Sequence, residues 1–309
     1  MPMRLTGLTS GLDTESMVRE LIKAEKMPVD KLLQKKQTIQ WKMDDYKSMN
    51  LKLSSFRDSL STARFSGDWS KSSSGVPLTD DEIVAKVKEM ASKYNDMVSS
   101  LNTELDEEKY RDYQPLTSDQ KAAMSESDIS NWEAKAKSGS LRNDDVLGRA
   151  VKDLRGLTST KLIGSDVNTS FDTLTEIGIT TPAYMKGSAD NGKLIVNETK
   201  LRAALATNRD DVIAMFSRQD AGAESGKGIF QRAYEIADKA ITSITRKLYG
   251  GLTTAESLSQ QIGKIDSKVT DMNERISKRE DYYYRMFSNM EKAIANSNAQ
   301  ISWLQSQLG

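Results

Sequence analysis

Leu32, Ile39, Tyr46, Leu53 and Leu60 recur at seven-residue steps, with Met43, Met49 and Phe56 on a flanking row. That spacing predicts a long helix with one apolar seam. A shorter helix is predicted before it: Asp13 is a good N-cap, Glu15 follows in the first turn, and Met17, Val18, Leu21 and Ile22 form a stripe. Met27-Pro28 is expected to break the two apart, with Pro28 in the first turn of the second. Lys35, Lys36 and Lys42 stand where a second seam row should be apolar, which predicts marginal order there in isolation.

The other end has the same pattern. Ile262, Ile265, Val269, Met272, Ile276, Arg279, Tyr283, Met286 and Met290 follow alternating steps of three and four, and Ile301, Leu304 and Leu308 continue them past an Asn-rich stretch near 296–298. This predicts a coiled-coil helix sustained over several heptads. The run Tyr282-Tyr283-Tyr284-Arg285-Met286-Phe287 fits either packing within the chain or contact between subunits, where aromatics are enriched. The seams could close within one chain, join sister chains, or do both.

Between the ends the pattern is mixed. Residues 66–78 are rich in Ser and Gly and predict a flexible linker. Thr79 with Glu82 and Thr117 with Gln120 are capping boxes. The first opens a helix carrying Ile83, Val87, Met90, Tyr94, Met97, Leu101 and Leu105. A short helix is expected near 127–138, and another from an Asn143 cap to about 160. Ile177, Ile179 and Thr181 alternate as a strand does, and Asp190-Asn191-Gly192 before Lys193-Leu194-Ile195-Val196 predicts a hairpin. Asn197 and Asn208 are expected to cap short helices, and a further helix runs from about 229 to 248. The predicted fold is mainly α: terminal helices paired as a coiled-coil bundle, plus a helical domain with a small β-hairpin. The expected domains are 1–65, a linker 66–78, 79–250 and 251–309.

The chemistry is mostly exclusion. The chain has no Cys and no His, which rules out disulfides, thiolate chemistry and Ser-His or Cys-His pairs within it. Lys+Arg and Asp+Glu are both 44, so no net charge draws it to nucleic acid or to an anionic membrane. No apolar run approaches the length of a membrane span, and no cleaved signal is expected. The stretch Gly222 to Lys227 has too few residues between its glycines for a phosphate loop, and Gly228 stands where Ser or Thr should bind Mg²⁺. Asp166 to Ser170 starts like a calcium loop, but Phe171 holds the glycine position. Asp80-Asp81-Glu82 suits a helix start, and Asp106-Glu107-Glu108 a solvated face. No catalytic residue, cofactor or metal is expected.

Three blocks carry a family resemblance: Gly7-Leu8-Thr9-Ser10-Gly11-Leu12-Asp13-Thr14 with Glu25-Lys26-Met27-Pro28-Val29; Leu141-Arg142-Asn143-Asp144, Ile177-Gly178-Ile179-Thr180 and Gly192-Lys193-Leu194-Ile195-Val196-Asn197; and Tyr284-Arg285-Met286-Phe287-Ser288-Asn289-Met290-Glu291 with Asn298, Gln300 and Leu304. In this order the chain resembles the flagellar filament-cap family, flagellar hook-associated protein 2. Members usually carry a large β-rich head between the N-terminal helix and the helix near Asp80. Here only the Ser/Gly-rich stretch occupies that place, whether the head is naturally missing or looped out.

The resemblance implies a structural assembly factor rather than an enzyme. It implies export to the flagellum tip outside the cell without a cleaved signal. The implied partners are sister copies in a homo-oligomeric ring, flagellin, hook-filament junction proteins and a flagellar export chaperone. The competing reading is another axial protein or coiled-coil tether without capping activity. The expected contact residues are Leu8, Leu12, Met17 and Leu21 near the start. At the other end they are Ile262, Ile265, Val269, Met272, Ile276, Tyr283, Met286, Phe287, Met290 and Leu304.

Overall fold

The structure is a computed structural model that describes residues 13–71, 75–164, 171–185, 187–220, 222, 224–251 and 256–308. Two compact units emerge. One comprises residues 1–39, 114–129 and 260–309; the other comprises 40–113 and 130–259. The division falls inside the first helix rather than at residue 65, so that helix's second half belongs with the central domain.

Helix α1 (Thr14–Ala63) is continuous, and the break expected at Met27-Pro28 is absent. Pro28 leaves the Ala24 carbonyl without its helical donor. Packing on both sides of the proline holds the helix: Ile22 and Val29 are buried, and Glu25 Oε1 accepts from Arg279 Nη1. Helix α2 (Gly67–Ser70) and α3 (Asp80–Asp106) follow. The expected linker therefore holds a helical turn. Its cause is Trp69, which is fully buried and stacks on Phe216 and Phe230 at 5.3 and 5.5 Å between ring centres. Lys71 and Pro77 form an antiparallel bridge that closes the loop at its base.

Both capping boxes form as expected, the second opening α4 (Ser118–Ala122). Helix α5 spans Glu126–Lys137. Helix α6 (Asp145–Gly156) is capped by Asp144, not Asn143: the Asp144 carboxylate accepts from the amides of Val146 and Leu147, while Asn143 sits at φ 55°, a left-handed position that Asn tolerates. Strands β1 (Ile179–Thr180) and β2 (Ile195–Val196) pair antiparallel in register Ile179–Val196. Asn197 caps α7 (Glu198–Ser217), and Asn208 breaks its helical geometry where a second cap was expected. Helices α8 (Ile229–Tyr249) and α9 (Leu258–Leu308) complete the chain.

In the second unit α3 packs on α6 and α7, and α8 packs on both of those. The second half of α1 joins them: Phe56 meets Tyr94 edge-on at 6.3 Å, and Arg57 pairs with Asp238 at 3.1 Å. Its Tyr46 is fully buried and donates to Asp144, which also takes Lys247 Nζ at 3.2 Å. Burial, then the Asp144 bond, pushes the Tyr46 hydroxyl well above the usual phenol range.

Candidate functional site: the terminal helix pair

In the first unit the start of α1 and the start of α9 run antiparallel. Lys36 Nζ meets Asp266 at 2.6 Å, and eleven residues earlier Glu25 meets Arg279, thirteen residues later. Val18, Ile22, Val29, Ile276 and Phe287 form the buried seam, with Val269, Met272, Tyr283, Tyr284 and Met290 packed against it. Two tyrosines of the aromatic run thus serve the intrachain seam, and Tyr282 stays exposed. Middle-chain residues join this unit too: Gln34 Nε2 donates to the Pro115 carbonyl at 2.6 Å, and Leu116 is buried. No apolar period announced that strap, because Leu116 is a single buried position beside Pro115.

The expected contact residues divide into two sets. Val269, Met272, Ile276, Tyr283, Phe287 and Met290 are used within the chain. Ile265 is buried as well, and Ile262 is half-buried. Met17, Leu21, Met286 and Leu304 are exposed at 42%, 38%, 41% and 51%. Leu8 and Leu12 lie outside the described residues.

The exposed set shares one flank. Met17 and Leu21 each precede a seam residue, Val18 and Ile22, and Met286 precedes Phe287. In an antiparallel pair the position before the seam falls on the same side of both helices. Leu304 lies about five full turns after Met286 and so returns to that side. Ile301 and Trp303 are also exposed near that end. This flank can bind apolar protein surface and offers no acid–base chemistry.

The other sequence candidates have structural uses. Asp80 and Asp81 pair with Arg209 and Arg202, and Glu82 completes its capping box. Glu107 Oε2 accepts from the Gly139 amide at 2.6 Å. A Cβ at Gly226 would strike the Asp220 carboxylate, so a negative group fills the loop that a phosphate would need. The Asp166 to Ser170 stretch lies outside the described residues. Among the described residues no acid cluster could hold a metal ion, and no helix is long and apolar enough to cross a membrane.

Comparison with known proteins gives a consistent result. A model of the flagellar hook-associated protein 2 N-terminus matches residues 10–97, and one of its C-terminus matches residues 70–299. The two overlap, leaving no stretch of the chain between them. Flagellar hook-associated protein 2 of Halalkalibacterium halodurans is 31% identical over 250 residues, covering 74% of this chain and 46% of that protein. The Thermotoga maritima protein of the same name is 30% identical over 239 residues, covering 75% of this chain and 34% of that protein. The chain thus spans less than half the length of these relatives. No solved structure matches it significantly. The chain belongs to the flagellar hook-associated protein 2 family, whose members are structural proteins of the flagellum and not enzymes.

Proposed function

We propose that the chain caps the tip of the flagellar filament as one copy of a homo-oligomeric ring and promotes the folding and insertion of flagellin beneath it. The carrying observation is the terminal helix pair. Its seam is satisfied within the chain, while Met17, Leu21, Met286 and Leu304 leave one flank free for neighbours. That flank is where flagellin or hook-filament junction proteins would bind, and an export chaperone would shield it beforehand. A thin seam with a free flank suits a leg that must exchange contacts as subunits enter.

The greater length of the relatives would enter between Lys71 and Pro77. The bridge there holds the two ends of the loop together, and Trp69 on one side and Arg209 on the other anchor them to the core. An inserted head would leave the helical unit undisturbed.

The test is complementation of a cap-deleted motile strain with the tagged chain. Long filaments with the tag at their tips are expected. A secreted chain absent from all flagellar structures would overturn the reading and favour a tether. A tag confined to hook tips, with flagellin lost to the medium, would show docking without capping.

A further inference from the structure

The loop after β1 presents two large apolar side chains to solvent. Tyr184 and Met185 are 66% and 69% exposed. Their backbone is firmly held. The Met185 amide donates to Asn191 Oδ1 at 2.8 Å, and Asn191 Nδ2 donates back to the Met185 carbonyl at 2.5 Å. Asn191 is 6% exposed, and its own carbonyl accepts from Asn102 Nδ2 of α3 at 2.8 Å. Two turns earlier on α3, Asn95 exchanges two hydrogen bonds with the Leu194 backbone, at 2.6 and 2.9 Å. Buried side-chain amides are costly unless fully bonded. Here they hold a loop whose outward residues touch little of the core, and Arg155 lies 5.1 Å from the Tyr184 ring. A rigid backbone carrying an exposed Tyr and Met is the form of an interface anchor.

A receptor for such an anchor lies in the same unit. Between α1 and α3 runs an open groove of about 420 Å³, lined by Lys52, Ser55, Phe56, Asp96, Met97 and Ser100. Phe56 and Met97 are buried and give it an apolar floor. Serines lower part of the wall, Lys52 and Lys93 flank it, and Asp96 and Ser100 can accept from a tyrosine hydroxyl. At 3.6 residues per turn, Met97 and Ser100 stand roughly 140–200° around α3 from Asn95. Anchor and groove therefore occupy opposite sides of one helix and cannot meet within a copy.

We propose that Tyr184 and Met185 of one copy seat in the α1–α3 groove of the next, joining copies head to tail. Two different surfaces in contact make a heterologous interface, and its repetition around a closing rotation gives a ring. The proposal rests on the ring reading above and names the contact that builds it.

The chain has no cysteine, so single-cysteine variants report cleanly. Met185→Cys and Ser100→Cys chains are mixed and oxidised, with Ile163→Cys and Ser100→Cys as a control pair of similar exposure. The expected result is a disulfide-linked dimer of the first pair well above the control. In sedimentation, Tyr184→Ser with Met185→Ser is expected to weaken self-association about 10-fold or more, as loss of an anchor does, and Ser55→Arg, which fills the groove, should act likewise. Unmodified chain that associates, with no such cross-link and no effect of either variant, overturns this interface and leaves the ring reading standing. Chain that stays monomeric at every concentration overturns both.

Discussion

The two units of this chain are built from the same kind of helix and differ in how much they bury. In the first, Val18, Ile22, Val29, Ile39, Leu116, Ile265, Ile276 and Phe287 are the buried apolar side chains among the described residues, strung along helix segments and a strap. In the second, stacked aromatics, the packed helices α3, α6, α7 and α8 with the second half of α1 against them, and a Tyr46–Asp144–Lys247 node enclose a three-dimensional core. Side-chain burial contributes roughly 1.5–3 kcal/mol per large apolar residue, against an ordering cost of about 1–2 kcal/mol per residue of backbone. A two-helix seam has little margin on those terms. The difference therefore lies in local stability: the first unit can open while the second stays folded.

The strongest way to separate the two is to damage each core in turn. Trp69→Ala removes the largest ring of the Trp69–Phe216–Phe230 cluster and should cost about 3–5 kcal/mol, lowering the main calorimetric transition by about 10 °C. Phe287→Ala removes the largest buried seam side chain, for about 3 kcal/mol. That loss should appear as local opening: faster amide exchange across 14–39 and 260–290, with the main transition unmoved. A fall in the main transition comparable to that of Trp69→Ala would show that the units melt together.

Smaller effects sharpen the picture of the second unit. Tyr46→Phe removes the donor to Asp144 and should cost about 1–2 kcal/mol in urea denaturation, because the carboxylate stays buried with one partner fewer. Glu104 gives a pH test. Burial first, then the nearby Asp45 and Glu107 carboxylates, raises its pKa above the usual glutamate range. The unfolded chain therefore releases this proton at lower pH than the folded one. Stability is lost as pH rises from the ordinary value through the raised one. Glu104→Gln should raise the melting temperature slightly at neutral pH and leave it unchanged below the ordinary carboxylate pKa. A gain of equal size at both pH values would assign the effect to something other than ionisation.

Much of the fold was legible in the sequence because it is periodic. The Ile39–Tyr46–Leu53–Leu60 row is buried as the seven-residue spacing requires, and both capping boxes close with their predicted partners. Local signals misled where tertiary contacts outweighed them. Pro28 reads as a break, yet seam contacts carry α1 through it. Residues 66–78 read as a linker because their composition is polar, and the single Trp69 that pins them has no period to reveal it. Asn95 and Asn102, seven apart on α3, carried the signal of a polar row along one helix face, but nothing in sequence says that a hairpin loop bonds to it. For the site, the heptads located the terminal seam but could not say which members would remain exposed. That division depends on the antiparallel offset fixed by Lys36–Asp266 and Glu25–Arg279.

The most direct measurement is amide hydrogen exchange on the monomeric chain, followed peptide by peptide. Residues 14–39 and 260–308 should exchange orders of magnitude faster than the cores of α3, α6 and α8, with the boundary in α1 near residue 40. Equal protection of the terminal pair and the central helices would contradict local opening of the first unit, since a seam that firm in isolation is not marginal.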